Sequence, residues 1–446
     1  AEKRRRRKKG TFPEADARVF INPEVCEGCG DCSRASNCIA VLPLETELGR
    51  KRQIDQSACN RDFSCLDGFC PSFVTLKGAK VRKGGGQAVT VPDLPEPSLP
   101  ALSRPWNIVV TGVGGSGVVT VGALISMAAH LEGKGAGEMQ MAGLAQKGGA
   151  VSIHVRVAPS PADITAIRVA AGEADAVIGG DLVVAGGPKT LAAMAPGRTR
   201  TVCNTHEIIT GDFIRDGSFS LPAERLRRAI ESAVSAEATA WLNATRLAEK
   251  LIGDAIYANV MMLGAAWQQG LVPLSKAALM RAIALNGAGV ESNQLAFEIG
   301  RWAMADPAAL EAAIAPAAPA APQSLDSLIA MLSGRLRDYQ SGAWARRFET
   351  AIAKVREAET RIAPGETTLT EAAARSLHKL MSYKDEYEVA RLHATTLEKA
   401  VAEGFEGVER IDFHLAPPLL APKGPDGLPR KVRYGPWMMR AFKLLR

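Results

Sequence analysis

Cysteines are crowded into one short stretch of this 446-residue chain. Seven of the eight cysteines lie between residues 26 and 70, beginning with the pattern Cys26-x-x-Cys29-x-x-Cys32. The stretch has few long apolar runs, so it cannot build a large hydrophobic core of its own. A small segment of this kind is usually held in shape by cross-links or by bound metal. The cysteines therefore constrain the fold of the N-terminal region more than any other feature.

Disulfides, zinc and iron–sulfur clusters compete as interpretations of these cysteines. The N-terminus is charged and no apolar segment follows it, so no secretory signal is expected and the protein is predicted to be cytoplasmic. Thiols stay reduced in that compartment, which counts against disulfides. Structural zinc sites pair two knuckles across a longer spacer. Three thiolates at two-residue spacing suit the iron corners of a cubane better, although zinc remains the competing interpretation.

The first predicted cluster takes four of these thiolates. Cys26, Cys29 and Cys32 form a tripod within one tight loop, and Cys70 is the remote fourth ligand. Pro71 follows Cys70, as proline follows the remote cysteine in bacterial ferredoxins. We therefore predict that these four residues hold one 4Fe-4S cluster.

Cys38, Cys59 and Cys65 are candidate ligands of a second cluster. Their spacings depart from the repeated pattern of two-cluster ferredoxins, because Cys38 follows Cys32 by too many residues and no proline comes next. Three thiolates suit a cluster with an outside ligand or a three-iron cluster. They also suit ordinary core residues, so all three interpretations stay open.

The positive charge of the chain is concentrated at its N-terminus. Residues 1–10 contain seven Lys or Arg and one Glu, which accounts for +6 of the formal net charge of +7. We interpret residues 1–17 as a solvated basic tail or linker, since a nucleic-acid module would spread basic residues over a folded face with interleaved aromatics. No apolar run is long enough to predict a membrane span.

Strands alternate with helical stretches after a Gly- and Pro-rich linker at residues 83–105, which predicts an α/β sheet. A second linker, rich in Ala and Pro, covers residues 306–323, and residues 324–446 begin with helices and end in a Pro-rich irregular tail. The predicted strands are 107–111, 151–157, 174–181 and 200–205, and the predicted helical segments include 118–130, 223–251, 255–269 and 276–286.

A glycine-rich turn joins the first of these strands to the first helix. The pattern Gly112-x-Gly114-x-x-Gly117 allows a tight turn and the close approach of backbone to a phosphate at the helix N-terminus. A dinucleotide site also needs an acidic residue at the end of the next strand, but Glu132 follows a helix. Another phosphate-bearing ligand, or a turn used only for packing, remains open.

A second glycine-rich loop, residues 143–149, presents an amide and a cation that suit an anionic or polar ligand. We combine it with the first turn as one candidate cofactor-binding set. The set is Gly112, Gly114, Gly115, Gly117, Gln146, Lys147, Gly148 and Gly149.

These motifs together resemble the indolepyruvate ferredoxin oxidoreductases of the 2-oxoacid:ferredoxin oxidoreductase family. The resemblance covers nearly the whole chain. It is carried by VCEGCGDC at 25–32, SNC at 36–38, ELGRKRQIDQSACNRDFSCLDGFCPSF at 47–73, TGVGGSGVVT at 111–120, GLAQKGGAV at 143–151, CNTHEI at 203–208, LMSYKDEYEVARL at 380–392 and FHLAPPLL at 413–420.

The resemblance implies a multidomain α/β protein. Its expected parts are a ferredoxin-like iron–sulfur module at 18–82, a gamma-type catalytic domain with the glycine-rich turn at 106–305, and a mainly helical C-terminal domain of unassigned role at 324–446. The family oxidatively decarboxylates a 2-oxoacid with CoA to an acyl-CoA and CO2, using thiamine diphosphate and passing electrons through iron–sulfur clusters to ferredoxin.

One departure from the family pattern limits what this chain is expected to do. The usual thiamine diphosphate signature, GDG followed by an Asn-Asn pair, is missing from the sequence. We therefore expect the iron–sulfur and gamma portion of such an enzyme, with catalytic residues unassigned. Its expected partners are thiamine diphosphate-binding domains or a subunit, together with ferredoxin, in an oligomer without nucleic acid or membrane. The alternatives are a stand-alone electron-transfer protein that couples a cluster to a nucleotide, and a zinc-stabilised binding module.

Overall fold

The computed structural model divides the chain into two compact units. The central unit is Lys83–Phe213 with Ser218–Pro316, and the composite unit is Glu2–Arg82 with Ile214–Gly217 and Ala317–Arg446. The basic run at residues 1–10 lies outside the described residues, as do parts of both predicted linkers. The structure describes residues 15–38, 40–56, 59–82, 89–142, 149–208, 213, 216, 219–314, 324–417, 421–424, 427 and 429–445.

The N-terminal part of the composite unit consists of short strands around the cysteines. A 3₁₀ turn at Ser64–Asp67 interrupts the long loop before the fourth strand. The elements are β1 (Ala17–Ile21), α1 (Asp31–Ser36), β2 (Val41–Thr46), β3 (Gly49–Ile54), β4 (Phe73–Lys77) and β5 (Lys80–Val81).

The central unit alternates strands and helices, as the sequence predicts. Its elements are β6 (Trp106–Val113), α2 (Val118–Leu131), β7 (Gly135–Ala142), β8 (Ala150–Ala158), β9 (Ala176–Gly179), α3 (Leu182–Ala185), α4 (Pro188–Leu191), β10 (Arg200–Asn204), α5 (Ala223–Val234), β11 (Thr239–Leu242), α6 (Ala244–Leu251), α7 (Ala258–Gln268), α8 (Lys276–Asn286), α9 (Val290–Ala305) and α10 (Pro307–Ala313).

A six-stranded sheet in the order β11-β10-β9-β6-β8-β7 organises the central unit. The four strands β6, β9, β10 and β11 are parallel, and β8 and β7 add an antiparallel edge. On β8 the alternating residues Val151, Ile153, Val155 and Val157 are all buried, as period-two alternation predicts. The predicted mixed α/β class is therefore confirmed.

One predicted helical segment of the central unit is wrong in its middle. The stretch 223–251 reads as a continuous amphipathic pattern, but Thr239–Leu242 form β11 and pair in parallel with β10. Ser235, with φ of 133°, ends the preceding helix. Pairing along an existing sheet edge here outweighs local helical preference, which is weak for Thr and Trp.

The C-terminal part of the composite unit is mainly helical, as predicted. Its elements are α11 (Leu325–Tyr339), α12 (Gly342–Ile362), α13 (Thr368–Met381), α14 (Glu386–Gly404), β12 (Phe405–Glu406), β13 (Arg410–Leu415), β14 (Val432–Tyr434) and α15 (Trp437–Leu445).

The expected irregular tail needs correction, because parts of it are ordered as β13, β14 and α15. Strand β14 pairs with β13, with Phe413 opposite Tyr434. The many prolines obscured these strands in the sequence, since proline argues against strands and helices wherever it occurs.

One antiparallel sheet joins the two ends of the chain. Its order is β1-β4-β13-β14, so strands that flank the cysteines pair with strands from residues 325–446, which we call the C-terminal segment. In the register of β4 and β13, Leu76 lies opposite Ile411 and Val74 opposite Phe413. The elements around the cysteines, residues 17–81, form what we call the cysteine region. The cysteine region and the C-terminal segment therefore share one sheet and one hydrophobic core.

His393 lies at the centre of this shared core. It is fully buried, stacks on Phe442 and meets the ring of Phe413 edge-on. Its Nε2 lies 3.1 Å from the carbonyl oxygen of Pro71, and its Nδ1 lies 3.4 Å from the amide nitrogen of Asn22. A carbonyl can only accept, so Nε2 carries the proton and Nδ1 accepts from Asn22. Burial lowers the pKa of His393 to about 4.

This burial predicts that the composite unit loses stability in mild acid. The folded-state pKa of His393 lies below its ordinary value of 6.5, so the unfolded state binds a proton first. Stability is complete above about pH 6.5 and falls as the pH drops towards about 4. Burial also lowers the pKa values of His378 and His414 to about 4, so they add to the same loss. Urea unfolding of the metal-free chain between pH 7 and pH 4.5 measures this slope.

The variant His393→Gln should show a shallower pH dependence, by up to about 1.4 kcal/mol per pH unit, because one proton fewer is taken up on unfolding. His130→Gln is the control, since His130 is exposed at the end of α2 in the central unit. Equal slopes for wild type and His393→Gln would contradict the assignment.

Candidate functional site

The first cysteine loop turns on two left-handed glycines. It starts after β1, where the N–H of Cys26 donates to the carbonyl oxygen of Asn22 at 3.0 Å. Gly28 and Gly30 have φ of 71° and 79°, and a Cβ on Gly28 would lie 2.0 Å from the carbonyl oxygen of Arg50. Only glycine fits at position 28. The turn points the Gly28 N–H at the sulfur of Cys26, at 3.3 Å.

The second cysteine loop contacts the first through a hydrogen bond from its backbone to Asp31 and through a close approach of Gly68 to Cys32. The N–H of Arg61 donates to the sulfur of Cys59 at 3.3 Å, repeating the arrangement at Cys26. The carboxylate of Asp31 accepts from the N–H of Phe69 at 2.8 Å. A Cβ on Gly68 would lie 3.0 Å from the Cα of Cys32, so the two loops pack with no space between them.

The seven thiols fall into two groups. Electrostatic coupling joins the thiol of Cys32 to those of Cys26, Cys70 and Cys29. It also joins the thiol of Cys65 to those of Cys38 and Cys59. We call Cys26, Cys29, Cys32 and Cys70 the first thiol group, and Cys38, Cys59 and Cys65 the second thiol group. These are the two sets named in the sequence analysis, where Cys70 joined the first set because Pro71 follows it.

The two thiol groups are neighbours, and each has a buried member. Burial, and then the other thiols of its group, raise the pKa of Cys32 to about 11. Burial raises the pKa of Cys65 to about 12, with smaller contributions from the other members of its group and from Cys32. Cys26 and Cys32 of the first group and Cys65 of the second are buried in one hydrophobic cluster, so the groups adjoin. Cys29 is exposed, so the first thiol group reaches the surface.

The thiol groups stay the predicted ligands of iron–sulfur clusters. Within the described ranges, no three His, Cys, Asp or Glu side chains converge on a point that would hold one metal ion. Thiolates of a cubane each bind a different iron and so need not converge. Backbone N–H groups directed at sulfur, as at Cys26 and Cys59, are the kind of hydrogen bond that tunes such clusters. The second group offers the same features but only three thiols.

Basic side chains surround the thiol groups, and the sequence analysis did not identify them. Lys51 and Arg52 on β3 are both buried, and Arg52 interacts with Cys32, Cys26 and Cys29. Lys384 and Lys431 reach the same region from the C-terminal segment. Three consecutive basic residues, Arg50 to Arg52, within a short strand were the one local signal, and nothing local marks Lys384 or Lys431.

The glycine-rich turn of the central unit lies between β6 and α2. Gly115 and Gly117 have φ of 102° and 87°, and the N–H of Gly114 donates to the carbonyl oxygen of Gly149 at 2.8 Å. The structure thus brings Gly149 to the turn, together with Gly112. A Cβ on Gly115 would meet no atom of the described residues within 4 Å, so none of them covers this side of the turn. Gln146, Lys147 and Gly148 lie outside the described residues.

Protein groups already occupy part of this turn. Buried Asp181 accepts from the N–H of Val113 at 2.6 Å and from the N–H of Val184 at 2.9 Å. The side-chain amide of Asn259 donates to the carbonyl oxygen of Gly117. An anionic ligand is therefore left with the first N–H groups of α2, which have no carbonyl partner in their own helix.

Glu132, weighed in the sequence as a ribose ligand, and His154 on β8 both have structural partners. Glu132 accepts from the N–H of Ser275 at 2.7 Å and pairs with Lys134, so its carboxylate is engaged within the protein. His154 faces away from the valines of β8, yet it is buried and its Nδ1 accepts from the N–H of Val169. Both contacts account for these side chains without a ligand.

Two family models match separate parts of the chain. Residues 107–303 match "Pyruvate ferredoxin/flavodoxin oxidoreductase", and residues 325–446 match "Family of unknown function (DUF6537)". The first match covers most of the central unit. The second covers the C-terminal segment, whose strands pair with the cysteine region.

Named relatives agree with the first match. An indolepyruvate oxidoreductase subunit IorB from Archaeoglobus fulgidus is 30% identical over 163 residues, which is 35% of this chain and 74% of the relative. A subunit of the same name from Pyrococcus horikoshii is 28% identical over 200 residues, 44% of this chain and 95% of that relative. Among solved structures, the gamma subunit of a keto/oxoacid ferredoxin oxidoreductase from Geobacter sulfurreducens is 23% identical. It has a TM-score of 0.32 and covers 45% of this chain and 98% of that one. The chain belongs to the indolepyruvate oxidoreductase subunits of the 2-oxoacid:ferredoxin oxidoreductase family.

Proposed function

We propose that this chain carries electrons from the oxidation of an aryl 2-oxoacid, such as indole-3-pyruvate, to ferredoxin. The observation that supports this most is the arrangement of seven thiols in two adjoining groups, one of which reaches the surface at Cys29. When bound, iron–sulfur clusters supply one-electron storage and transfer. The chemistry on the 2-oxoacid belongs to thiamine diphosphate-binding domains, which we propose as partners.

The first thiol group would hold a 4Fe-4S cluster with Cys26, Cys29, Cys32 and Cys70 as ligands. The N–H of Gly28 stabilises charge on the Cys26 sulfur, and the loop glycines let the backbone approach closely. The second thiol group would hold a further cluster through Cys38, Cys59 and Cys65. Apolar neighbours such as Phe73 and Val41 shield the buried thiols of Cys26, Cys32 and Cys65 from water.

The glycine-rich turn would bind the diphosphate of CoA. Its support is the turn at Gly115, which no described residue covers, and the start of α2, where backbone N–H groups favour an anion. We propose Gly112, Gly114, Gly115, Gly117 and Gly149 as the described part of this site. The second candidate function, a stand-alone electron carrier coupled to a nucleotide, would use the same turn for NAD(H).

Replacing Cys29 tests the first cluster with little disturbance of the core. Because Cys29 is exposed, Cys29→Ser should leave the fold intact and lower the iron content by about four per chain. Iron and acid-labile sulfide in anaerobically reconstituted protein measure this loss. Cys203→Ala is the control, since Cys203 is buried on β10 of the central unit, apart from both thiol groups.

Cys59→Ser applies the same measurement to the second thiol group. We expect it to remove further iron and leave the EPR signal of the first cluster. If Cys29→Ser retained all the iron of the wild type, or if the wild type held zinc in place of iron, the proposed electron-transfer function would be contradicted.

Gly115→Ala tests the glycine-rich turn. A Cβ there meets no atom of the described residues and enters the proposed site, so CoA binding should weaken by about tenfold, measured by titration calorimetry. Gly133→Ala is a matched control, because Gly133 also has positive φ with nothing within 4 Å and lies after the far end of α2. Equal CoA affinity in both variants would contradict the site. Tight NAD(H) binding without CoA binding would favour the second candidate function.

A further inference from the structure

The C-terminal segment, residues 325–446, holds both ends of the cysteine region. Near the first loop, the ammonium of Lys384 lies 3.3 Å and 3.4 Å from the carbonyl oxygens of Val25 and Cys26, and it pairs with Glu27 at 2.6 Å. Arg335 pairs with Glu24 at 2.6 Å. These contacts hold the chain in place on both sides of Cys26, the first candidate ligand.

The other end of the cysteine region is fixed in the same way. The ammonium of Lys431 donates to the carbonyl oxygen of Cys70 at 3.1 Å, and His393 donates to the carbonyl oxygen of Pro71. Strand β4 then begins at Phe73 and pairs with β13. Every one of these partners comes from a segment whose family has no assigned function.

Lys431 contacts the candidate ligand Cys70 and packs on Phe73, which lies in one hydrophobic cluster with Cys32 and Cys65. Burial lowers the pKa of Lys431, and the thiols of Cys70, Cys65 and Cys32 and the carboxylate of Asp31 oppose this shift. Its ammonium also lies 4.7 Å from the ring centre of Phe73. A cation over an aromatic face, hydrogen-bonded to a carbonyl, is held in place with little water around it.

A fixed positive charge in such surroundings favours the addition of an electron nearby. Reduction makes a cluster more negative, and the attraction to a cation is strong where water is excluded. A charge beside the thiol groups acts on both at once. An exposed lysine would be screened by solvent and would have little effect.

We infer that Lys431 is a positioning residue for electron transfer, whose charge the C-terminal segment places beside the thiol groups, where it makes the bound clusters easier to reduce. This inference rests on the proposed function, because it requires clusters in the thiol groups. It gives residues 325–446 a role, which is to supply a positive charge next to the clusters. Lys431 itself binds no iron and transfers no electron.

The test compares Lys431→Gln, Lys431→Arg and Lys443→Gln in the full chain, reconstituted anaerobically. Lys443→Gln makes the same charge change in the same segment, but Lys443 is exposed on α15 and pairs with Glu398. Iron and acid-labile sulfide are measured first, and an EPR-monitored redox titration follows. In Lys431→Gln we expect the iron content of the wild type, with the ratio of reduced to oxidised cluster at a given potential lower by about tenfold, which is about 59 mV.

Lys431→Arg keeps the charge and should titrate close to the wild type, as should Lys443→Gln. An unchanged titration of Lys431→Gln at full iron content would overturn the inference. Loss of iron in Lys431→Gln would also overturn it, because the residue would then serve assembly rather than reduction. A wild-type chain without iron would instead refute the proposed function, so the two failures are distinguishable.

Discussion

Seven thiols packed close together in a partly buried site are the constraint on which the composite unit depends. Burial and mutual repulsion raise the pKa values of Cys32 and Cys65, so the groups cannot all be thiolates unless positive charge compensates them. The short strands around them hold too small a core to balance this cost alone. A positively charged iron–sulfur core and the surrounding basic side chains together would provide that compensation.

The pairing of β4 with β13 explains how residues far apart in the sequence come to lie around the thiol groups. The cysteine region contributes β1 and β4, and the C-terminal segment contributes β13 and β14. Once these strands pair, His393, Lys384 and Lys431 come into contact with backbone carbonyls next to the cysteines.

None of the described helices combines the length and hydrophobicity of a membrane span.

The sequence predicted those features whose conformation depends on neighbouring residues, and it missed those that depend on residues far away in the chain. The two-residue spacing of Cys26, Cys29 and Cys32 predicted one tight loop with positive-φ glycines, which is observed, whereas Cys70 was assigned to these thiols only because Pro71 follows it. The alternation around Val151 predicted β8, and the glycines after β6 predicted a turn at a helix N-terminus. Strand β11 was missed because its pairing with β10, rather than its own residues, decides its conformation. Lys431 was missed for the same kind of reason, because its partner Cys70 lies 361 residues earlier in the chain.

The number and coupling of bound clusters test the account most directly. Iron and acid-labile sulfide should be determined on the anaerobically reconstituted wild-type chain, followed by low-temperature EPR after full reduction. Two adjoining thiol groups predict iron in excess of about four per chain and a spectrum broadened by magnetic coupling between neighbouring clusters. A single uncoupled signal at about four irons would contradict the second cluster, and colourless protein that holds zinc would contradict the account as a whole.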